Sequence, residues 1–233
     1  MLTLFENDAL RIRYAPGHTR TLFVSFTGVL HGMGGIALDE FAGSGRAHHC
    51  LFVSDLRRTW YNGTGLAEEI CRIVRQKAKA LGVRRIITIG NSMGGFGAIL
   101  FARLLQADTA IAFTPQYSFD SRIVPGETRW SEYRESIATW EFPTALPLRA
   151  RTRYYLFSGV DRMEMQHTEL FPQAPNLALF LVGGGHTVAQ AIKDSGCLGR
   201  VIRACIGLPM PIARLRVRQL LRPLVAIPVC SVP

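Results

Sequence analysis

The pentapeptide Gly90-Asn91-Ser92-Met93-Gly94 constrains this chain more than any other segment. It follows a short apolar run over 85–89, which reads as a buried strand, and leads into an apolar stretch to about 106, which reads as a helix. A serine at so sharp a strand-to-helix turn projects its Oγ above the sheet. Glycines two residues to either side keep neighbouring backbone from clashing. The helix N-terminus behind the serine favours negative charge. The turn therefore points to a layered α/β architecture with a mostly parallel, twisted sheet and flanking helices.

The rest of the chain alternates in the same sense. Runs over 9–14, 21–26, 49–54, 109–113, 153–157 and 177–182 read as further strands, the first with one wet face. Leu66, Ile70, Ile73, Val74 and Leu81 recur at helical spacing, with Glu68 and Glu69 in the first turn and Lys77 and Lys79 near the end, as the helix dipole prefers. A closing helix is expected from Val188 to about Cys205. With 233 residues, 48% of them hydrophobic, the chain can build one large core. We assign an α/β domain to 1–207, with the Pro- and aromatic-rich stretch 114–150 as a short cap insertion. The basic, Pro-containing segment 208–233 is expected to form a loosely attached C-terminal tail.

A serine hydroxyl becomes a nucleophile only when a base takes its proton. Of the six histidines, His186 alone lies in a loop directly after the last strand, in Gly183-Gly-Gly-His-Thr187. From there it can reach Ser92 across the carboxyl edge of the sheet. Asp161, after the strand over 153–157, gives the order serine, acid, histidine and is the expected acid. Asp120 and Glu164 are the runners-up, and an N-cap role is the structural alternative for Asp161. The N–H of Met93 and that of Thr27, or of Gly28 beside it, are the expected oxyanion donors. The nearby His31-Gly-Met-Gly-Gly35 offers further amides or is a loop only.

These segments resemble the α/β-hydrolase superfamily from about Leu22 to Cys205. Gly90-Asn-Ser-Met-Gly-Gly-Phe-Gly-Ala98 matches its nucleophile elbow, Asp161 its acid and Gly185-His186 its base. Asp55-Leu-Arg-Arg-Thr-Trp-Tyr-Asn-Gly63, Thr114-Pro-Gln-Tyr-Ser-Phe-Asp120 and Arg129-Trp130 are similar to a bacterial subgroup of short hydrolases, some of them associated with capsular or exopolysaccharide production. The resemblance implies a serine esterase acting through a catalytic triad on an ester substrate, with an acylated glycan or lipid precursor among the candidates. Acyl transfer by the same triad, or a non-catalytic binding role, are its alternatives. Trp60, Tyr61 and Asn62, with Tyr117 and Arg129, are expected to line the substrate pocket, Arg129 holding an anionic group. Trp130 reads equally well as loop packing.

The remaining composition narrows the setting. The net charge is +10, yet only three of 27 basic residues are lysine. No basic stretch is interleaved with aromatics, so nucleic acid is not the expected partner. The tail offers peripheral contact with an anionic membrane or a protein as the alternative to a loose end. Five scattered cysteines (Cys50, Cys71, Cys197, Cys205, Cys230) without a C-x-x-C pair argue against a disulfide framework or zinc site. No signal peptide, transmembrane segment, phosphate loop or metal-ligand spacing is apparent, so a cytoplasmic protein without cofactor is expected.

Overall fold

In the computed structural model, residues 1–33, 39–44 and 47–225 are described. Eight strands form one sheet: β1 (Leu2–Glu6), β2 (Leu10–Ala15), β3 (Thr21–Phe26), β4 (His49–Asp55), β5 (Arg85–Asn91), β6 (Thr109–Phe113), β7 (Arg153–Gly159) and β8 (Leu177–Val182). Their spatial order is β1-β2-β4-β3-β5-β6-β7-β8. The β1–β2 and β2–β4 pairs are antiparallel, and every pair from β4–β3 to β7–β8 is parallel. The central strands are buried on both faces, as helix-covered parallel strands must be.

The period of two in the strands divides the core. Leu22, Val24 and Phe26 of β3 face one side with Leu51 and Val53 of β4, beneath α1 (Leu66–Ala80) and α2 (Met93–Leu104). Phe23, Ile87, Ile89, Ile111 and Phe113 face the other, beneath α5 (Val188–Asp194), α6 (Leu198–Gly207) and α7 (Met210–Leu221). Phe113, Phe157 and Phe180 stack across β6, β7 and β8 at centroid spacings of 4.8 and 5.0 Å. Two short helices complete the set, α3 (Ser131–Arg134) and α4 (Arg162–Thr168).

Several elements differ from the sequence reading. β1 was not expected; it is a mostly exposed edge strand, and its burial pattern lacks a clean alternation. The expected closing helix is two helices, broken where Gly196 takes φ +70°. Residues 208–225, the described part of the expected tail, are not a loose end. Pro209 stands just before α7, where its missing N–H costs nothing. Ala213, Val217, Leu220 and Leu221 of α7 are buried in the core with α6 and the sheet. Residues 226–233, with Cys230, lie outside the described residues; Cys50, Cys71, Cys197 and Cys205 are buried. The stretch 114–150 carries only one short helix, and its Phe119, Ile137 and Ala145 join the core under α1 and α2. No helix among the described residues is long and apolar enough to cross a membrane.

Candidate active site

The elbow sits at the carboxyl end of β5, where the neighbouring strands β3 and β6 run on either side of it. Ser92 takes φ 58° and ψ −123°, a conformation that costs a residue with a Cβ about 1–3 kcal/mol. Its N–H is held by the Phe113 carbonyl at 2.9 Å, and its carbonyl accepts from Phe96 of α2. Close backbone approach makes the turn sharp. A Cβ on Gly90 would fall 2.1 Å from the Gly94 carbonyl oxygen, and one on Gly94 would fall 2.1 Å from that of Phe26. The motif's glycines are thus a steric requirement of helix α2 lying against β3 and β5.

His186, in the loop between β8 and α5, places Nε2 2.8 Å from Ser92 Oγ. Its Nδ1 lies 2.8 Å from Glu164 Oε1. With Nδ1–H donating to that carboxylate, Nε2 is left to accept from the serine hydroxyl. The carboxylate on the imidazole is therefore Glu164, and the expectation for Asp161 is corrected. Asp161 is the N-cap of α4, its Oδ1 accepting the Glu164 N–H at 2.9 Å. Asp-x-x-Glu has the spacing of a capping box, but only the Asp161 half of it forms, because the Glu164 carboxylate is turned to His186 and Arg129. Asp161 also packs against the loop of the histidine, since a Cβ on Gly185 would meet its Oδ2 at 2.1 Å. Asp120, the other runner-up, pairs with Arg122 at 2.5 Å.

Behind Glu164 lies a second, buried network that the sequence did not suggest. Arg129 Nη1 reaches Glu164 Oε1 at 2.6 Å and lies 3.0 Å from His186 Nδ1. The same guanidinium pairs with Glu127, which also accepts from Gln116 Nε2 and contacts His167 Nε2 at 2.8 Å. His167 Nδ1 accepts the Tyr117 N–H at 3.2 Å, so the proton of this imidazole sits on Nε2 and is donated to Glu127. Burial pushes the Glu164 carboxyl up, but the hydrogen bond and charge of His186 and those of Arg129 more than offset it, and Glu164 titrates below the ordinary glutamate range. Burial raises Glu127 too, and His167 and Arg129 pull it far down. One cation thus stands between two carboxylates, and the cluster carries net negative charge beside His186.

Of the two expected oxyanion amides, Met93 N–H has no acceptor among the described residues. Thr27 N–H is spent on the Val53 carbonyl at 3.1 Å, as the chain leaving β3 still pairs with β4. Gly28 N–H donates to Glu40 Oε1 at 2.8 Å. Val29 N–H has no acceptor among the described residues, and Val29 lines the same cleft as Ser92. His31 Nδ1 donates to the Gly28 carbonyl at 2.7 Å; Gly34 and Gly35 of that loop lie outside the described residues.

The cleft at Ser92 and His186 has a volume of about 800 Å³. The residues expected to line it do not. Asp55, fully buried, accepts from the N–H and hydroxyl of Thr59 and the N–H of Tyr61, curling the loop inward. Trp60 then stacks on Phe119 and donates Nε1–H to Gln116, while Tyr61 packs edge-on to Phe26 and Phe101. Asn62 accepts the Phe142 N–H, and Tyr117 packs on Phe171. Arg129 is held by Glu127 and Glu164 rather than open to an anion. The cleft is lined instead by Trp130, by the loop of Gly28 to Leu30, by 39–43 after β3, and by the inner sides of α5 and α6. Among the described residues no group of three or more His, Cys, Asp or Glu is placed to hold a metal ion.

A mostly parallel eight-stranded sheet in this order, with a serine at the strand-to-helix elbow and a histidine in the loop after the last strand, is the α/β-hydrolase fold. Comparison with solved structures agrees. The chain is similar to the capsule O-acetyltransferase of Neisseria meningitidis serogroup A, with a TM-score of 0.57 and 15% identity over 84% of this chain and 93% of that one. It is similar to S-formylglutathione hydrolase from Staphylococcus aureus, with a TM-score of 0.55 and 12% identity over 83% and 95% of the two chains. A third likeness is to the glycosylation associate protein complex of Streptococcus agalactiae, with a TM-score of 0.58 and 14% identity over 83% of this chain and 44% of that one. No protein-family model and no curated protein sequence matches the chain. At these identities the likeness carries the fold, and the chemistry is argued from the site.

Proposed function

We propose that the protein is a serine hydrolase that cleaves a carboxylic ester through an acyl-enzyme. The observation that carries this reading is the continuous run from Ser92 Oγ to His186 to Glu164, each contact 2.8 Å long. Ser92 Oγ attacks the acyl carbonyl as His186 Nε2 takes its proton, and the oxyanion is stabilised by the amides of Met93 and Val29. The imidazolium returns the proton to the leaving alcohol, water enters, and the sequence runs again to release the acid. Glu164 fixes the tautomer and stabilises the imidazolium. Arg129 by itself would disfavour that imidazolium, but with Glu127 and Glu164 on either side the cluster remains net negative.

The substrate we favour is an acylated glycan or lipid precursor, for which a cleft of about 800 Å³ has room. Acyl transfer to a sugar hydroxyl is a second reading, favoured by the likeness to a capsule O-acetyltransferase. It uses the same acyl-enzyme and differs in keeping water from it. A non-catalytic role gives no reason for the backbone strain held at Ser92.

Treatment with a fluorophosphonate followed by peptide mapping tests the reading. A single adduct on Ser92, lost in Ser92→Ala and strongly reduced in His186→Ala, is expected. Absence of labelling in folded protein, or labelling elsewhere, refutes it. Product analysis with p-nitrophenyl acetate, with and without an acceptor alcohol, then separates hydrolysis from transfer.

A further inference from the structure

The wall of the cleft formed by α5 and α6 carries two cations, Lys193 and Arg203. Neither has a hydrogen-bond or ion-pair partner among the described residues. Of the acids across the cleft, Asp39 accepts from Arg13 at 2.7 Å through Oδ2 while its Oδ1 has no hydrogen-bond partner among the described residues, and Glu40 accepts the Gly28 N–H through Oε1. Between the two cations Gly196 lies in the link from α5 to α6 and Gly199 in the first turn of α6, where a Cβ would lie 3.4 Å from Arg203 Nη1. A glycine there leaves the guanidinium room beside the helix, and Gly196 and Ala189 add no bulk to the same wall.

Near the C-terminus of α5, Lys193 also suits the helix dipole. That account does not extend to Arg203, which lies in the middle of α6. We infer that Lys193 and Arg203 form an anion subsite of this cleft, and that the ester taken by Ser92 carries a phosphate or carboxylate on its acyl or its alcohol part. The inference rests on the reading of Ser92 and His186 as the reacting pair. It adds that charge selects the substrate, and that Arg129, buried in its own ion pairs, has no part in doing so.

The test compares p-nitrophenyl acetate with three anionic esters: p-nitrophenyl hydrogen adipate for an acyl-side charge, and 4-acetoxybenzoate and 4-acetoxyphenyl phosphate for an alcohol-side carboxylate or phosphate. At least one anionic ester is expected to show a higher kcat/KM than the neutral one. Lys193→Ala and Arg203→Ala should each raise its KM about tenfold, the value of one charge-assisted hydrogen bond. Both exposed substitutions should leave p-nitrophenyl acetate turnover within about twofold. Added salt should erode the preference. Equal kcat/KM for neutral and anionic esters, or equal losses on both in the variants, overturns the subsite while leaving the serine mechanism standing. If no ester turns over, calorimetric titration with 4-hydroxyphenyl phosphate decides: binding lost in the double variant supports the subsite, and no binding to the wild-type protein overturns it.

Discussion

Two carboxylates three residues apart, Asp161 and Glu164, are assigned different work, and exchanging each for its amide separates them. In Glu164→Gln the amide oxygen can still accept from His186 Nδ1, since one oxygen of Glu164 makes both the histidine and the Arg129 contacts. What is lost is the charge. Unit charges 2.8 Å apart attract by about 6 kcal/mol at an effective dielectric of about 20. The retained hydrogen bond restores about 1 kcal/mol of that. The remainder is a fall in kcat of about 10³–10⁴, in line with the roughly 10⁴ known for converting a triad carboxylate to its amide.

In Asp161→Asn the expected change is small. Asparagine caps a helix as well as aspartate, so melting should shift by no more than the equivalent of a few tenths of a kcal/mol. The carboxylate has no contact with the imidazole, and turnover should stay within about threefold, under 1 kcal/mol of barrier. The assay is hydrolysis of p-nitrophenyl acetate by both variants, with circular dichroism and melting curves to certify folding. A folded Asp161→Asn protein slower by more than a hundredfold, beside a Glu164→Gln protein near wild type, would falsify the assignment.

Two further outcomes test the surroundings. Burial raises Glu40 from an ordinary 4.5 to about 7, partly countered by the Gly28 N–H. The folded state then binds this proton more tightly than the unfolded one, so this contribution to stability is full below about 4.5 and is lost as pH rises through 7. The melting temperature of Glu40→Gln relative to wild type should therefore climb between those values, and a difference independent of pH contradicts the burial of this carboxylate. Ending the chain after Gly207 removes Val217, Leu220 and Leu221 from the core, a loss of about 5 kcal/mol or more at about 1.5–3 kcal/mol per side chain. Set against a domain stability of about 5–15 kcal/mol, that should unfold the protein or lower its melting point by tens of degrees, whereas an unchanged melting curve would return the segment to a dispensable tail.

How far the residues alone disclose the molecule depends on the range of the interaction involved. Strands such as Thr109–Phe113 and the elbow at Ser92 are legible because the apolar run and the glycine spacing are local requirements. His186 is legible from its place after the last strand. The acid is harder, because Asp161 and Glu164 both stand at the right end of β7, and choosing between them needs the capping geometry of α4. Pocket residues fail for a different reason. Trp60 and Tyr61 follow a strand at the carboxyl edge of the sheet, but the buried Asp55 carboxylate turns their backbone inward, at φ 51° and 61°, and both rings end in the core. Helix α7 escapes notice because its burial depends on sheet strands distant in sequence, and edge strand β1 because it is mostly exposed and lacks a clean alternation.

The same distinction explains why a glutamate on a helix serves here where a loop aspartate was expected. Asp161 sets the first turn of α4 and packs on the loop of His186, so it fixes the spacing between the helix and the histidine. Glu164, one turn on, has the longer side chain needed to reach Nδ1 from the helix. That reach brings extra rotamer freedom, which costs more to freeze than the shorter side chain of an aspartate. Arg129 offsets this cost by clamping the carboxylate oxygen at 2.6 Å, and Glu127 clamps Arg129 in turn. A guanidinium 3.0 Å from the imidazole would be incompatible with a base that must accept a proton if it stood alone. Two buried carboxylates around it reverse that balance, and for this reason Glu127, which touches neither Ser92 nor His186, belongs to the proposed catalytic unit.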